Sequence, residues 1–118
     1  MKIISKVLSK NDTGESKGHQ AGFYIPRDFV KFFPKLDENL LNPRCELIFK
    51  DEYLKDWAFN YIYYNNSFFD GTRNERRLTH TTGYIKYHKL KNNDVIYLSN
   101  ESGIYSIRHE KSHLESKD

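Results

Sequence analysis

The sequence predicts a mainly β (α+β) fold: a small, partly open barrel of six or seven short strands with two short helices. Three observations carry this. The apolar residues come in short runs rather than long amphipathic stretches. Nine tyrosines and eight phenylalanines favour strands and supply large buried areas. Turn clusters such as Asn11-Asp-Thr-Gly14, Asn65-Asn66, Asp70-Gly71 and Asn92-Asn-Asp94 separate the runs. Strands interrupted by only two isolated helices fit a barrel better than a parallel sheet.

Lys2 to Leu8 reads as a first strand, and the loop around Asn11–Gly18 leads to a second at His19–Ile25. Pro26 suits the first position of a helix, where its missing N–H costs nothing. That helix spans Arg27–Phe33, with Phe29, Val30 and Phe33 on one face, and Pro34 stops it. Cys45–Phe49 and Trp57–Tyr64 are the next strands. Trp57, Phe59, Tyr61 and Tyr63 read as core and cross-strand packing. Thr82 caps a second helix from Gly83 to Lys89, with Ile85 and His88 inward. Val95–Ser99 and Ile104–Arg108 pair as a terminal hairpin across Asn100–Gly103. The domain is expected to span residues 1–108, with 109–118 a polar tail or linker.

A chain of 118 residues fits one domain with a modest core. No run reaches membrane-spanning length, and Met1-Lys-Ile-Ile-Ser-Lys6 lacks the apolar core of a signal peptide. The single Cys45 makes no internal disulfide, which fits a reducing, cytoplasmic setting, and it reads as a small buried hydrophobe. The net charge of +3 is unevenly placed. Residues 1–31 carry +3 and residues 71–91 carry +5, while 37–56 carry −3. Two basic segments flanking an acidic one suit a surface that meets a polyanion from one side.

The richest stretch is Gly71-Thr-Arg-Asn-Glu-Arg-Arg-Leu-Thr79, which holds three of the six arginines. In extended form Arg73, Glu75 and Arg77 share one face at intervals of roughly 7 Å. Arginine offers a bidentate fork to guanine, and glutamate accepts from the cytosine amino group. Glu75 also orients the guanidinium planes beside it. The alternative is a solvated, charge-mixed turn.

Leu8-Ser-Lys-Asn-Asp-Thr-Gly-Glu-Ser-Lys-Gly-His-Gln-Ala-Gly-Phe-Tyr-Ile-Pro26 resembles the amino-terminal effector domain of EcoRII-type restriction endonucleases. So do Phe33-Pro34, Asn42-Pro43, Tyr63-Tyr-Asn65 and Thr72-Arg-Asn-Glu-Arg-Arg77, in the same order, so that the likeness covers roughly residues 5–80. The resemblance implies a seven-stranded DNA-binding pseudobarrel, the fold also used by plant auxin-response-type transcription factors. It implies that two arms grip the major groove of double-stranded DNA and read a short, nearly palindromic, G·C-containing site, CCWGG being the best single guess. It implies no cofactor, a monomer on DNA, and a nuclease catalytic domain carboxy-terminal to the module within a restriction-modification system. The amino-terminal arm corresponds to Asn11–Gly18 with His19 and Tyr24, and the carboxy-terminal arm to Arg73, Glu75, Arg76 and Arg77. The family pattern can carry lysine just before Thr-Arg-Asn-Glu, where this chain has Gly71.

With that resemblance, His19, Tyr24, Arg73, Glu75 and Arg77 are the expected base readers, although Tyr24 equally suits strand packing. Lys10, Asn11, Thr13, Lys17, Thr72, Asn74 and Arg76 are the expected backbone or supporting residues. Arg76 faces the other way from Arg77 and suits a phosphate or inter-arm contact. An RNA- or single-strand-binding barrel is the binding-class alternative, given the many aromatics. His109-Glu-Lys-Ser-His113 matches the H-E-x-x-H zinc-hydrolase signature. That chemistry needs a helix, a third ligand and a cleft, whereas the match lies in a polar tail. A nuclease site needs Pro-Asp before an acidic-x-Lys element. Arg27, Lys35 and Arg44 follow the three prolines, and Glu15-Ser-Lys17 and Glu115-Ser-Lys117 supply the second half alone. The chain alone is therefore expected to have no catalytic or metal site.

Overall fold

The computed structural model describes residues 1–16, 22–72 and 74–112. Seven strands form one curled, open sheet: β1 (Lys2–Val7), β2 (Phe23–Ile25), β3 (Arg44–Lys50), β4 (Asp56–Tyr64), β5 (Glu75–Thr79), β6 (Val95–Glu101) and β7 (Ile104–Glu110). Their order across the sheet is β1-β6-β7-β3-β4-β5-β2. All neighbours are antiparallel except β3 and β7, which run parallel. Two strands consecutive in sequence, β1 and β2, thus form the two edges. The sheet curls until they approach, and Lys6 Nζ donates to the Tyr24 carbonyl across the seam at 2.8 Å. A charged donor bridging two strand edges blunts both against pairing with other chains.

The core fills the inside of this half-barrel. Alternation along β4 turns Phe59, Tyr61 and Tyr63 inward, all buried, as expected of that aromatic run. Phe33 stacks on Tyr61 with ring centroids 4.3 Å apart and planes 7° from parallel. The expected helix at Arg27–Phe33 is a 3₁₀ turn, Arg27–Phe32, which seats Phe32 as well as Phe33 in the core. Seven residues closed by prolines at either end leave no room for a settled α-helix, and the tighter turn delivers adjacent aromatics inward. At the other expected helix, α2 spans Thr82–Tyr87, its cap position is Thr81 rather than Thr82, and no side-chain cap bond forms. Ile85 and His88 face inward as expected.

Within the expected first loop lies a short helix the sequence reading missed, α1 (Lys10–Thr13). Ser9 and Asp12 form a reciprocal capping box, and Gly14 closes the helix at φ 85°. The terminal hairpin turns at Ser102-Gly103, both with positive φ, as a tight two-residue connection requires. β7 runs two residues past the expected end to Glu110, and Ser112 N donates to the buried Asp94 carboxylate at 2.8 Å. His109 therefore sits on a strand, where it and Glu110 point to opposite faces. The helical H-E-x-x-H geometry is not formed, and His113 lies outside the described residues. Among the described residues no helix is long and apolar enough to cross a membrane.

The β3–β4 turn is built around buried Asp51. Its Oδ1 accepts from Tyr53 N and Lys55 N, and its Oδ2 from Trp57 Nε1 at 2.9 Å and His88 Nε2 at 3.2 Å. Burial opposes ionisation, but these donors outweigh it and bring the pKa down from 3.8 to about 2. A folded-state value below the unfolded one stabilises the fold above the unfolded value and is lost as pH falls through the folded one. Asp51 is thus expected to contribute about 2 kcal/mol at neutral pH that disappears between about pH 4 and pH 2. Urea titrations of the parent and Asp51→Asn across that range check this. The variant should be less stable at pH 7 and should lose less on acidification.

Candidate nucleic-acid interface

Two excursions leave the sheet at opposite ends of the β2–β5 pair. The segment 65–74 enters β5 at Glu75, beside Tyr64. The segment 8–22 enters β2 at Phe23, beside Leu78. Three residue steps along β5 separate the two roots by about 10 Å.

The first excursion is tied down at its base. Lys6 Nζ lies 3.5 Å from Asp12, and Leu8 N donates to the Asp94 carbonyl. Burial lowers the Lys6 pKa, with Asp12 opposing. Glu15 accepts from the Thr13 hydroxyl at 2.6 Å and from Asn92 N at 2.7 Å. Thr13 and Glu15 are therefore engaged within the protein, while Lys10 is exposed and Asn11 half-buried. Lys17 and His19 lie outside the described residues.

The second excursion starts from Asn65, which is 0% exposed. Its amide donates to the carbonyls of Glu38 and Leu40 and its oxygen accepts from Asn42 N, so that a side chain fixes the 38–42 loop to the arm's root. A 3₁₀ turn, Asn66–Phe69, follows and ends at Asp70 with φ 66°. Gly71 N then donates back to the Asn66 carbonyl at 2.7 Å. A Cβ at Gly71 would stand 2.8 Å from that carbonyl oxygen and from Asn66 Oδ1. The arm's own closure thus demands glycine where the family pattern can carry lysine. Gly71→Lys is expected to cost about 1 kcal/mol of stability by prising this closure open. It is also expected to weaken binding to duplex DNA despite the added charge. Thermal unfolding and a binding titration check the two parts.

Register sets which side chains lie between the roots. Arg44, Ile62, Arg77 and Tyr24 are directly paired across β3, β4, β5 and β2, and so share one face. Glu75 lies on that face two residues from Arg77. Tyr24 is 44% exposed, whereas Arg77 is 2% exposed. The Arg77 guanidinium lies 3.3 Å from Glu75 Oε2 and donates to the Gly22 carbonyl at 3.1 Å. One buried side chain therefore joins the exit of one arm to the exit of the other. Gly22 has φ 73°, and a Cβ there would stand 2.1 Å from the Leu78 carbonyl oxygen, so only glycine lets the arm approach β5 this closely.

Arg76 faces the opposite way, as alternation predicts. It stacks 3.9 Å over the Tyr63 ring and reaches Glu38 at 3.8 Å. The Tyr63 hydroxyl donates to Asn74 Oδ1. Thr72 and Asn74 are exposed, and Arg73 lies outside the described residues. An open cleft of about 330 Å³ at this root is bordered by Tyr24, Arg27, Asn74 and Glu75. Arg27 and Arg44, both exposed, are cations the sequence reading passed over. Neither belongs to a charge cluster, and strand register alone brings Arg44 into the row.

The family described as "Restriction endonuclease EcoRII, N-terminal" matches residues 1–94. Type II restriction enzyme EcoRII of Escherichia coli is 40% identical over 93 residues, covering 75% of this chain and 23% of that protein. Auxin response factor 2 of Oryza sativa subsp. japonica is 33% identical over 103 residues, covering 86% of this chain and 13% of that protein. The chain thus spans less than a quarter of the length of either relative. Among solved structures, that of the Arabidopsis FUS3-DNA complex superposes with a TM-score of 0.73 at 19% identity, covering 92% of this chain and 96% of that one. That likeness shows the fold, the curled open sheet of the pseudobarrel. The chain belongs to the EcoRII amino-terminal family.

Proposed function

We propose that this chain is a double-stranded DNA recognition module that grips the major groove between its two arms and carries no hydrolytic activity of its own. The observation that carries this is the Glu75–Arg77–Gly22 link, which joins the roots of the two excursions at the two ends of one strand pair. Two rigidly spaced arms suit two half-sites of a short, nearly palindromic, G·C-containing sequence, with CCWGG the best guess. His19, Tyr24, Arg73 and Glu75 are the proposed base readers. Lys10, Lys17, Thr72 and Asn74, with Arg44 and Arg27 added, are the proposed backbone contacts. The DNA complex among its structural neighbours and the restriction enzyme among its relatives support the reading. In a longer protein a nuclease domain following this module would be its natural partner. The aromatic run of β4 is buried, which argues against a stacking platform for single strands.

Selection of bound duplexes from a randomised pool, followed by titration on duplex and single strand from about 50 to 200 mM salt, tests the reading. A single enriched G·C-containing motif is expected. Log affinity should fall with log salt by about 0.9 per phosphate neutralised. A flat salt response, or preference for single strands, would sink the proposal.

A further inference from the structure

At the end of β4 opposite the carboxy-terminal arm, about 27 Å from it by strand length, three metal-ligating side chains meet. Glu52 lies on the β3–β4 turn, His88 just after α2, and His109 on β7. One donor atom from each lies within 4.8 Å of the other two. We propose that Glu52, His88 and His109 bind a single divalent transition-metal ion of the zinc class, with solvent completing the coordination.

Hydrogen bonds already gather the three side chains, His109 N donating to Glu52 Oε2 at 3.4 Å, but the Glu52 and His109 side chains make none to each other. His109 Nδ1 and Glu52 Oε1 are 3.6 Å apart, too long for a hydrogen bond. With bonds near 2.0–2.1 Å, neighbouring donors around a tetrahedral zinc stand about 3.3 Å apart. The two imidazole rings lie 4.7 Å apart between centroids, a contact that suits neutral rings and disfavours two imidazolium ions. Burial lowers the pKa of His109, with His88 and Lys111 adding to this and Glu52 opposing. A neutral ring is the form that ligates.

A supporting contact orients the His88 ring. His88 Nε2 meets buried Asp51 Oδ2 at 3.2 Å. Asp51 is ionised and accepts, so Nε2 donates to it and Nδ1 is the nitrogen left to face an ion. Carboxylate, histidine and metal in that order is how protein ligands are commonly held. The Tyr84 hydroxyl, buried and kept protonated, lies 3.2 Å from His109 Nδ1, a contact that an ion bound at that nitrogen would displace, since its one lone pair serves one partner. Two imidazoles and a carboxylate suit zinc and its neighbours better than calcium or magnesium, which prefer oxygen alone. An ion here would clip together three elements far apart in sequence. His109 is also the first histidine of the H-E-x-x-H match, so the site shares one residue with that motif and none of its geometry.

Cobalt(II), added to metal-free protein, is the probe, and its visible absorption is the readout. The parent should bind one equivalent with the intense d–d bands of a four- or five-coordinate site, and zinc should displace it and raise the melting temperature. Glu52→Gln, at an exposed position that leaves packing intact, and His109→Gln should each weaken cobalt binding at least tenfold. His80→Gln, away from the cluster, should not. Circular dichroism shows that each variant is folded. Absence of the bands in the parent, or cobalt binding retained by folded Glu52→Gln or His109→Gln, would overturn the proposal.

Discussion

Replacing Arg77 with alanine is expected to cost about 3–5 kcal/mol of stability, the usual loss when one partner of a buried charged pair is removed. The guanidinium is 2% exposed and serves Glu75 and the Gly22 carbonyl together. Its loss leaves a half-buried carboxylate and a carbonyl without that donor, at the points where both arms join the sheet. Binding should weaken by similar factors on cognate and random duplexes, because the arms lose their spacing rather than a base contact. Arg77→Lys keeps the charge but not the planar fork, so it should recover only part of the stability. Denaturant titrations and binding on both duplexes measure the two effects. Unchanged stability with discrimination alone reduced would mean instead that Arg77 leaves its partners to read a base.

Most of the architecture was legible from local pattern. Alternation in Trp57–Tyr64 identified the inward aromatics, and the Ser102-Gly103 turn joins two strands that the residue pattern alone paired. What local pattern could not carry were features made by residues distant in sequence. The parallel contact of β3 with β7 joins Phe49 to Tyr105 and leaves no trace in either run. Four-residue α1 is too short to show a helical period, so its capping box read as a turn cluster. Arginine is seldom buried, and nothing in Thr72–Arg77 separates the brace at Arg77 from the exposed residues nearby. The bond between His88 and Asp51, likewise, exists only once the segment after α2 meets the β3–β4 turn. The sequence did place Glu75 and Arg77 on one face and Arg76 on the other, because strand alternation depends on nothing beyond the strand itself.

That alternation motivates the second large effect. Arg73 lies two residues before Glu75, on the same parity of the sequence. Arg73→Ala is expected to remove a bidentate guanine contact worth about 1–3 kcal/mol, up to roughly a hundredfold, on the cognate duplex. Binding to random duplex should change far less, so discrimination against a one-base variant should shrink. Arg73→Lys should restore the non-specific part of binding and little of the discrimination. Glu75→Gln keeps the shape but removes the charge that holds Arg77 and accepts from cytosine. It should lower discrimination and, through Arg77, stability as well. Arg76→Ala provides the contrast. Its guanidinium is occupied by Tyr63 and Glu38, so it should lower cognate and random binding alike, if at all. Titrations of the four variants on cognate, single-mismatch and random duplexes separate these outcomes. Equal losses on every duplex for Arg73→Ala and Glu75→Gln would reduce the arm to an electrostatic patch and remove base reading from it.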